Sequence, residues 1–150
     1  MTIQNTKQWF EAAVPEPTES SRAVQLGCHL EEVVEMLSNL LFDTQKMEEH
    51  ADYAACHLTS LASALKEGHV SPIIIDRTEH LDALCDQIVT AVGCAHMEGM
   101  DIQGALAEVN RSNWSKFVDG KPVFDESGKI KKGPGYSAPE LGRFVQEGGA

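Results

Sequence analysis

Apolar residues recur at three- and four-residue intervals through most of the chain, and proline and glycine cut that pattern into segments. The run from Val24 to Phe42 carries the stripe Leu26, Leu30, Val33, Leu37 and Leu40, with Ser20 or Ser21 placed to cap a helix there. A second helix, capped by Asp43 or Thr44, runs to about Lys66 on the stripe Met47, Ala51, Ala54, Leu58, Leu61 and Leu65, and Gly68 ends it. A third runs from about Arg77 to Met97 on Leu81, Leu84, Ile88, Val92 and Ala95, and Gly99 ends it. Asp101 caps a fourth, from Ile102 to about Asn113, with Ile102, Leu106 and Val109 inward. Ahead of these, Thr2 to Val14 forms a short helix carrying Trp9 and Phe10, broken by Pro15 and Pro17. The pattern predicts an all-α helical bundle of four core helices.

Between the second and third helices, His69 to Asp76 with its triplet Ile73-Ile74-Ile75 reads as a buried connector. From Trp114 the helical period stops. Asp119 to Phe124 and Ser127 to Ile130 read as two short extended pieces around a turn, a short extended C-terminal arm. Lys131 to Tyr136 is a basic Gly/Pro-rich loop, and Gly148-Gly149-Ala150 is expected to fray. The small residues Ala51, Ala54, Ala55, Ala62 and Ala64 suggest close helix-helix approach, and Met36, Met47 and Met97 read as core filler.

Composition narrows the functional classes. A chain of 150 residues makes one domain, residues 1–150, with its own core. A formal net charge of −11 argues against a binder of nucleic-acid polymers, which needs a basic face. Free nucleotides stay possible, because metal ions can carry the positive charge they require. Cys28, Cys56, Cys85 and Cys94 form no CxxC pair, so buried, reduced thiols are expected rather than a zinc site or disulfides. No apolar run reaches membrane-spanning length and Met1 to Phe10 lacks a signal-peptide core, so a soluble, cytoplasmic protein is expected, with no membrane partner.

Two acidic clusters remain. Glu31, Glu32 and Glu35 lie in the first long helix, and Asp82 and Asp86 lie in the third. Carboxylates three or four apart share a helix face and destabilise an isolated helix. If two such faces opposed one another, their acids would repel unless a cation sat between them, and hard oxygen ligands suit Mg²⁺ or Mn²⁺. The bland alternative is two solvated faces.

Glu31-Glu32-x-x-Glu35 followed by Asp82-x-x-x-Asp86 resembles the metal signature of the all-α nucleoside triphosphate pyrophosphohydrolases, the superfamily of MazG, phosphoribosyl-ATP pyrophosphohydrolase and dimeric dUTPase. Gly93, Gly99-Met100-Asp101, Asn110 to Lys116, Asp119-Gly120-Lys121-Pro122 and Lys132-Gly133-Pro134 resemble its HisE-like branch, over roughly residues 8 to 141. One departure stands out: MazG-type members carry an acid three residues before the last Asp, where this chain has Ala83. Its acid is Asp82, four residues before, which leaves direct ligation by Asp82 open.

The resemblance implies hydrolysis of a nucleoside triphosphate to the monophosphate and pyrophosphate, using two or three Mg²⁺ or Mn²⁺ ions. Carried over, Glu32, Glu35 and Asp86 are metal ligands, and Glu31 binds a further ion or orients the attacking water. Lys116 and Lys132 would offset charge on the phosphates, and Asn113 would donate to a phosphate or sugar. On their own, Asn113 reads equally as a helix C-cap and Lys116 as a solvated side chain. Trp9 and Tyr136 are candidates to stack on a base, among Phe10 and Trp114. The HisE-like build resembles a phage branch acting on dGTP or GTP, which would place the protein in the host cytoplasm. dUTP, dCTP or damaged nucleotides are the rival substrates. The resemblance also implies a homodimer or homotetramer. A second class remains open, a non-catalytic helical interaction module.

Overall fold

The computed structural model describes residues 2–68, 70–126 and 128–145. Five α-helices account for most of it: α1 (Thr2–Ala13), α2 (Glu19–Leu37), α3 (Gln45–Lys66), α4 (Arg77–Met97) and α5 (Ile102–Trp114), followed by a 3₁₀ turn at Gly142–Phe144. The architecture is all-α, as the hydrophobic period predicts. The chain forms two compact units. One comprises Met1–Pro15, Ile74–Phe124 and Ile130–Ala150, and the other Glu16–Ile73 with Asp125–Lys129.

The second unit is built on the packed pair α2 and α3. Thr18, not Ser20 or Ser21, starts α2. Its hydroxyl accepts from the Ser21 N–H at 3.1 Å while the Thr18 N–H donates to Ser21 Oγ at 2.7 Å, a reciprocal capping box. Thr44 caps α3 as expected. The seam is narrower than the sequence pattern suggests. Ala23, Val24, Gly27, Ala62 and Leu65 are buried, whereas Leu26, Leu30, Val33 and Leu37 are only half-buried and Leu40 lies beyond the helix. Gly27 explains this, because a Cβ there would stand 2.9 Å from the Ala62 carbonyl oxygen and 2.8 Å from Lys66 Cγ. The backbones approach through small residues, and the leucines flank the line of contact.

In the first unit, α1 packs on α5. Trp9 and Ala13 are buried. The residues of α5 that are shut away from water are polar: Glu108, Asn110 and Ser112 are buried, while Ile102, Leu106 and Val109 are half-buried. Asn110 earns its place by hydrogen bonds, accepting from Thr6 Oγ1 at 2.9 Å and donating to the Thr2 carbonyl at 3.0 Å. Asp76 caps α4 and Asp101 caps α5. Gly68 and Gly99 follow α3 and α4 with φ of 74° and 70°, the left-handed stop that glycine permits.

Several expectations need correction. Helix α4 has no buried residue, so its stripe is not core. Ile73 and Ile75 are exposed, so the connector is not buried. Met36, Met47 and Met97 are exposed rather than core filler, because the thin packing leaves those helix faces uncovered. The cysteines are free, but Cys56, Cys85 and Cys94 are exposed and Cys28 is half-buried. The arm turns at Asp119-Gly120, both at positive φ, where Val118 and Lys121 exchange backbone hydrogen bonds of 2.9 and 3.0 Å. Phe124 pairs with Ile130 in an isolated bridge, and no longer strand forms among the described residues. No helix among the described residues is long and apolar enough to cross a membrane. Ser127, His69 and the tail at 148–150 lie outside the described residues.

Candidate functional site

Glu31, Glu32 and Glu35 stand on α2 in the second unit, and Asp82 and Asp86 on α4 in the first. Their circumstances differ. Glu31 is half-buried and already engaged: one carboxylate oxygen accepts from Lys66 Nζ, and the other lies 3.8 Å from Lys129 Nζ. That bond to Glu31 raises the Lys66 pKa above its usual value. Burial pushes the nearby Cys28 thiol up, against the opposing pull of Lys129.

Glu32, Glu35, Asp82 and Asp86 are exposed, and their carboxylates make no hydrogen bond or ion pair with any described residue. Glu32 and Glu35 share a face of α2 by their spacing of three, and Asp82 and Asp86 share a face of α4 by their spacing of four. Each helix thus presents a pair of hard oxygen donors to solvent. Among the described residues, no three His, Cys, Asp or Glu side chains gather closely enough to hold a metal ion by themselves. A pair still suits Mg²⁺, which commonly takes one or two carboxylates and fills its shell with water and substrate phosphate oxygens.

The first unit also gathers the cationic and aromatic candidates. Lys116 Nζ donates to Asn113 Oδ1 at 2.7 Å and lies 5.9 Å from the centre of the Trp9 ring. Trp9 is held edge-on by Phe10 at 4.9 Å, with Phe117 at 6.2 Å. Its buried Nε1–H finds no acceptor among the described residues. With its ring enclosed, Trp9 serves here as a shelf beneath Lys116. Asn113 lies inside α5, whose C-cap is Ser115, so its side chain is committed to Lys116 rather than to capping.

Lys132 sits over the Tyr136 ring at 4.8 Å. The loop that carries both is pressed onto the turn after α5. A Cβ on Gly133 would meet Val118 Cγ2 at 2.5 Å and the Lys116 carbonyl oxygen at 3.1 Å. The Asn-x-x-Lys turn and the Lys-Gly-Pro loop are therefore neighbours, which their separation in sequence does not reveal.

Sequence reasoning missed Glu108. This buried carboxylate receives Arg111 Nε at 2.9 Å and Nη2 at 2.7 Å, the Glu140 N–H at 3.0 Å, and Arg143 at 3.5 Å. The Arg111 hydrogen bonds, with that of Glu140, hold its pKa down at about 2. Arg111 also donates to the Ala138 carbonyl at 3.0 Å. Arg111 thus fastens the C-terminal segment to α5, and it does more than offset the helix dipole. The i,i+3 spacing of Glu108 and Arg111 was the available signal.

A comparison with models of known protein families gives no match, and none is found among curated proteins or solved structures either.

Proposed function

We propose that this chain hydrolyses a nucleoside triphosphate to the monophosphate and pyrophosphate, with Mg²⁺ or Mn²⁺ ions held by its exposed carboxylate pairs, Glu32 with Glu35 and Asp82 with Asp86. The observation that carries the reading is the contrast among the acids. Glu31 and Glu108 are neutralised by lysine and arginine partners, whereas the two same-face pairs stand exposed with no cationic side chain beside them among the described residues. Their order along the chain is that of the pyrophosphohydrolase signature.

When bound, the metal would neutralise phosphate charge and supply an activated water near neutral pH. The chain's own groups do the rest. Lys116, steered by Asn113 and Trp9, presents a fixed cation to the phosphates. Lys132 supplies a second cation from the adjoining loop, and Tyr136 offers an aromatic face beside it. Glu31, tied to Lys66, orients α2 at its acidic end.

Purine triphosphates, dGTP and GTP, are the first substrates to try, followed by dUTP and dCTP. The test is pyrophosphate release from a panel of ribo- and deoxynucleoside triphosphates with Mg²⁺ or Mn²⁺. Release with equimolar monophosphate supports the reading, and no turnover of any nucleotide contradicts it. One observation favours a second reading, an interaction module: helix α4 buries none of its residues.

A further inference from the structure

Ser115 closes α5 as its C-cap and stands next in the chain to Lys116. Its hydroxyl reaches further than a cap requires. Ser115 Oγ accepts the Ser137 N–H at 2.9 Å, and it lies 2.7 Å from the Ser112 carbonyl oxygen and 3.3 Å from that of Ser137. The serine that caps α2 makes a useful contrast. Ser38 Oγ donates to the Val34 carbonyl at 2.9 Å, a bond within its own helix end. Ser115 instead ties the end of α5 to a residue 22 positions downstream.

The loop held by that bond carries Lys132 and Tyr136. Its own backbone is already fixed. The Tyr136 N–H donates to the Gly133 carbonyl at 3.0 Å, closing a turn with Pro134 at its second position. On the entering side the Lys131 N–H donates to the Val123 carbonyl at 2.7 Å. On the leaving side stands the Ser115–Ser137 bond. Within each segment the cation has a neighbour that steadies it: Asn113 and the Trp9 ring for Lys116, the Tyr136 ring for Lys132. Those contacts orient each lysine on its own segment and do not set one segment against the other. The seat of Gly133 on Val118 and the Lys116 carbonyl fixes how near the segments come, and the Ser115 hydroxyl adds a directional link that fixes their register.

We propose that Ser115 is a positioning residue, holding the Lys132–Tyr136 loop in register with Lys116 so that the two lysines take neighbouring phosphates of one polyphosphate chain. The inference rests on the hydrolytic reading for the class of ligand. Two cations in fixed register favour a ligand with two linked anionic groups, because the second contact follows the first with little further loss of freedom. A single phosphate gains nothing from the second cation. Ser115 itself touches no phosphate and acts through Lys132.

Inorganic pyrophosphate and inorganic phosphate are titrated calorimetrically into the full chain with EDTA present, so that no carboxylate-held ion contributes. Pyrophosphate should bind about 10-fold or more tightly than phosphate. Ser115→Ala should weaken pyrophosphate binding about 10-fold at unchanged helicity, and Ser115→Thr, which keeps the hydroxyl, should restore it. In a chain that already carries Lys132→Ala, Ser115→Ala should cost nothing further, because its effect passes through that lysine. Trypsin gives a second readout: cleavage after Lys131 and Lys132 should quicken in Ser115→Ala, whereas Ser38→Ala leaves it unchanged. Pyrophosphate bound no better than phosphate, wild-type affinity in Ser115→Ala, or the same loss with and without Lys132 would overturn the proposal. None of these readouts uses nucleotide turnover. A chain that binds pyrophosphate as expected but cuts no triphosphate would refute the reaction alone.

Discussion

Arg111 grips both oxygens of Glu108, through Nε at 2.9 Å and Nη2 at 2.7 Å, one turn apart on α5. Glu108 also takes the Glu140 N–H, so one carboxylate anchors the segment that follows the Lys-Gly-Pro loop. Its native pKa, near 2, lies below the ordinary 4.5. A depressed carboxyl stabilises the fold fully above its ordinary pKa and loses that contribution as pH falls toward the native value. Stability should therefore drop between pH 4.5 and about 2. In Glu108→Gln that part of the acid dependence should vanish, and the variant should already be less stable at pH 7. Urea unfolding across pH, with both proteins, measures this. A Glu108→Gln profile that runs parallel to the wild type would refute the role given to Glu108.

Two glycines should respond oppositely to one methyl group. At Gly27 a Cβ meets the Ala62 carbonyl and the Lys66 side chain, so Gly27→Ala should cost about 1–3 kcal/mol and loosen Lys66 from Glu31. At Gly93, inside the C-terminal part of α4, a Cβ would meet nothing within 4 Å beyond its own helix backbone. Gly93→Ala should stabilise by about 0.5–1 kcal/mol through helix propensity. Chemical denaturation of the two variants decides it, and equal shifts would contradict the close α2–α3 approach.

Lys116 is placed by Asn113 and by the Trp9 ring. Under the proposed reaction, Lys116→Ala should lower kcat/KM by about 100-fold or more, mostly through kcat. Asn113→Ala leaves the charge but frees its position and should cost less. Steady-state kinetics on the best nucleotide separates the two. A Lys116→Ala enzyme with wild-type kcat would remove Lys116 from the chemistry.

Most helix boundaries were legible in the sequence because they rest on local chemistry. Gly68, Asp76, Gly99 and Asp101 stop or start helices where their side chains and φ angles require it. What each helix buries was less legible. Leu61 and Leu81 follow the apolar period, yet the buried line runs through Ala23, Gly27 and Ala62 because small residues set how near two backbones come. Periodicity reports which face is apolar, and it does not report whether anything covers that face, as the exposure of α4 shows. Of the candidate site, the acidic pairs are visible from spacing alone. That Glu31 is held by Lys66, and that Gly133 presses its loop onto Lys116, depends on contacts between residues 35 and 17 positions apart.

The central claim is that the carboxylate pairs Glu32–Glu35 and Asp82–Asp86, unpartnered among the described residues, hold the metal ions used to cut a triphosphate. The most direct measurement is pyrophosphate release by Glu35→Gln and Asp86→Asn beside the wild type, under Mg²⁺ and Mn²⁺, with helicity checked by circular dichroism. Each variant keeps the shape of its side chain and removes one negative charge. Turnover should fall to background in both while the helical signal stays unchanged, and wild-type turnover in either variant would contradict the account.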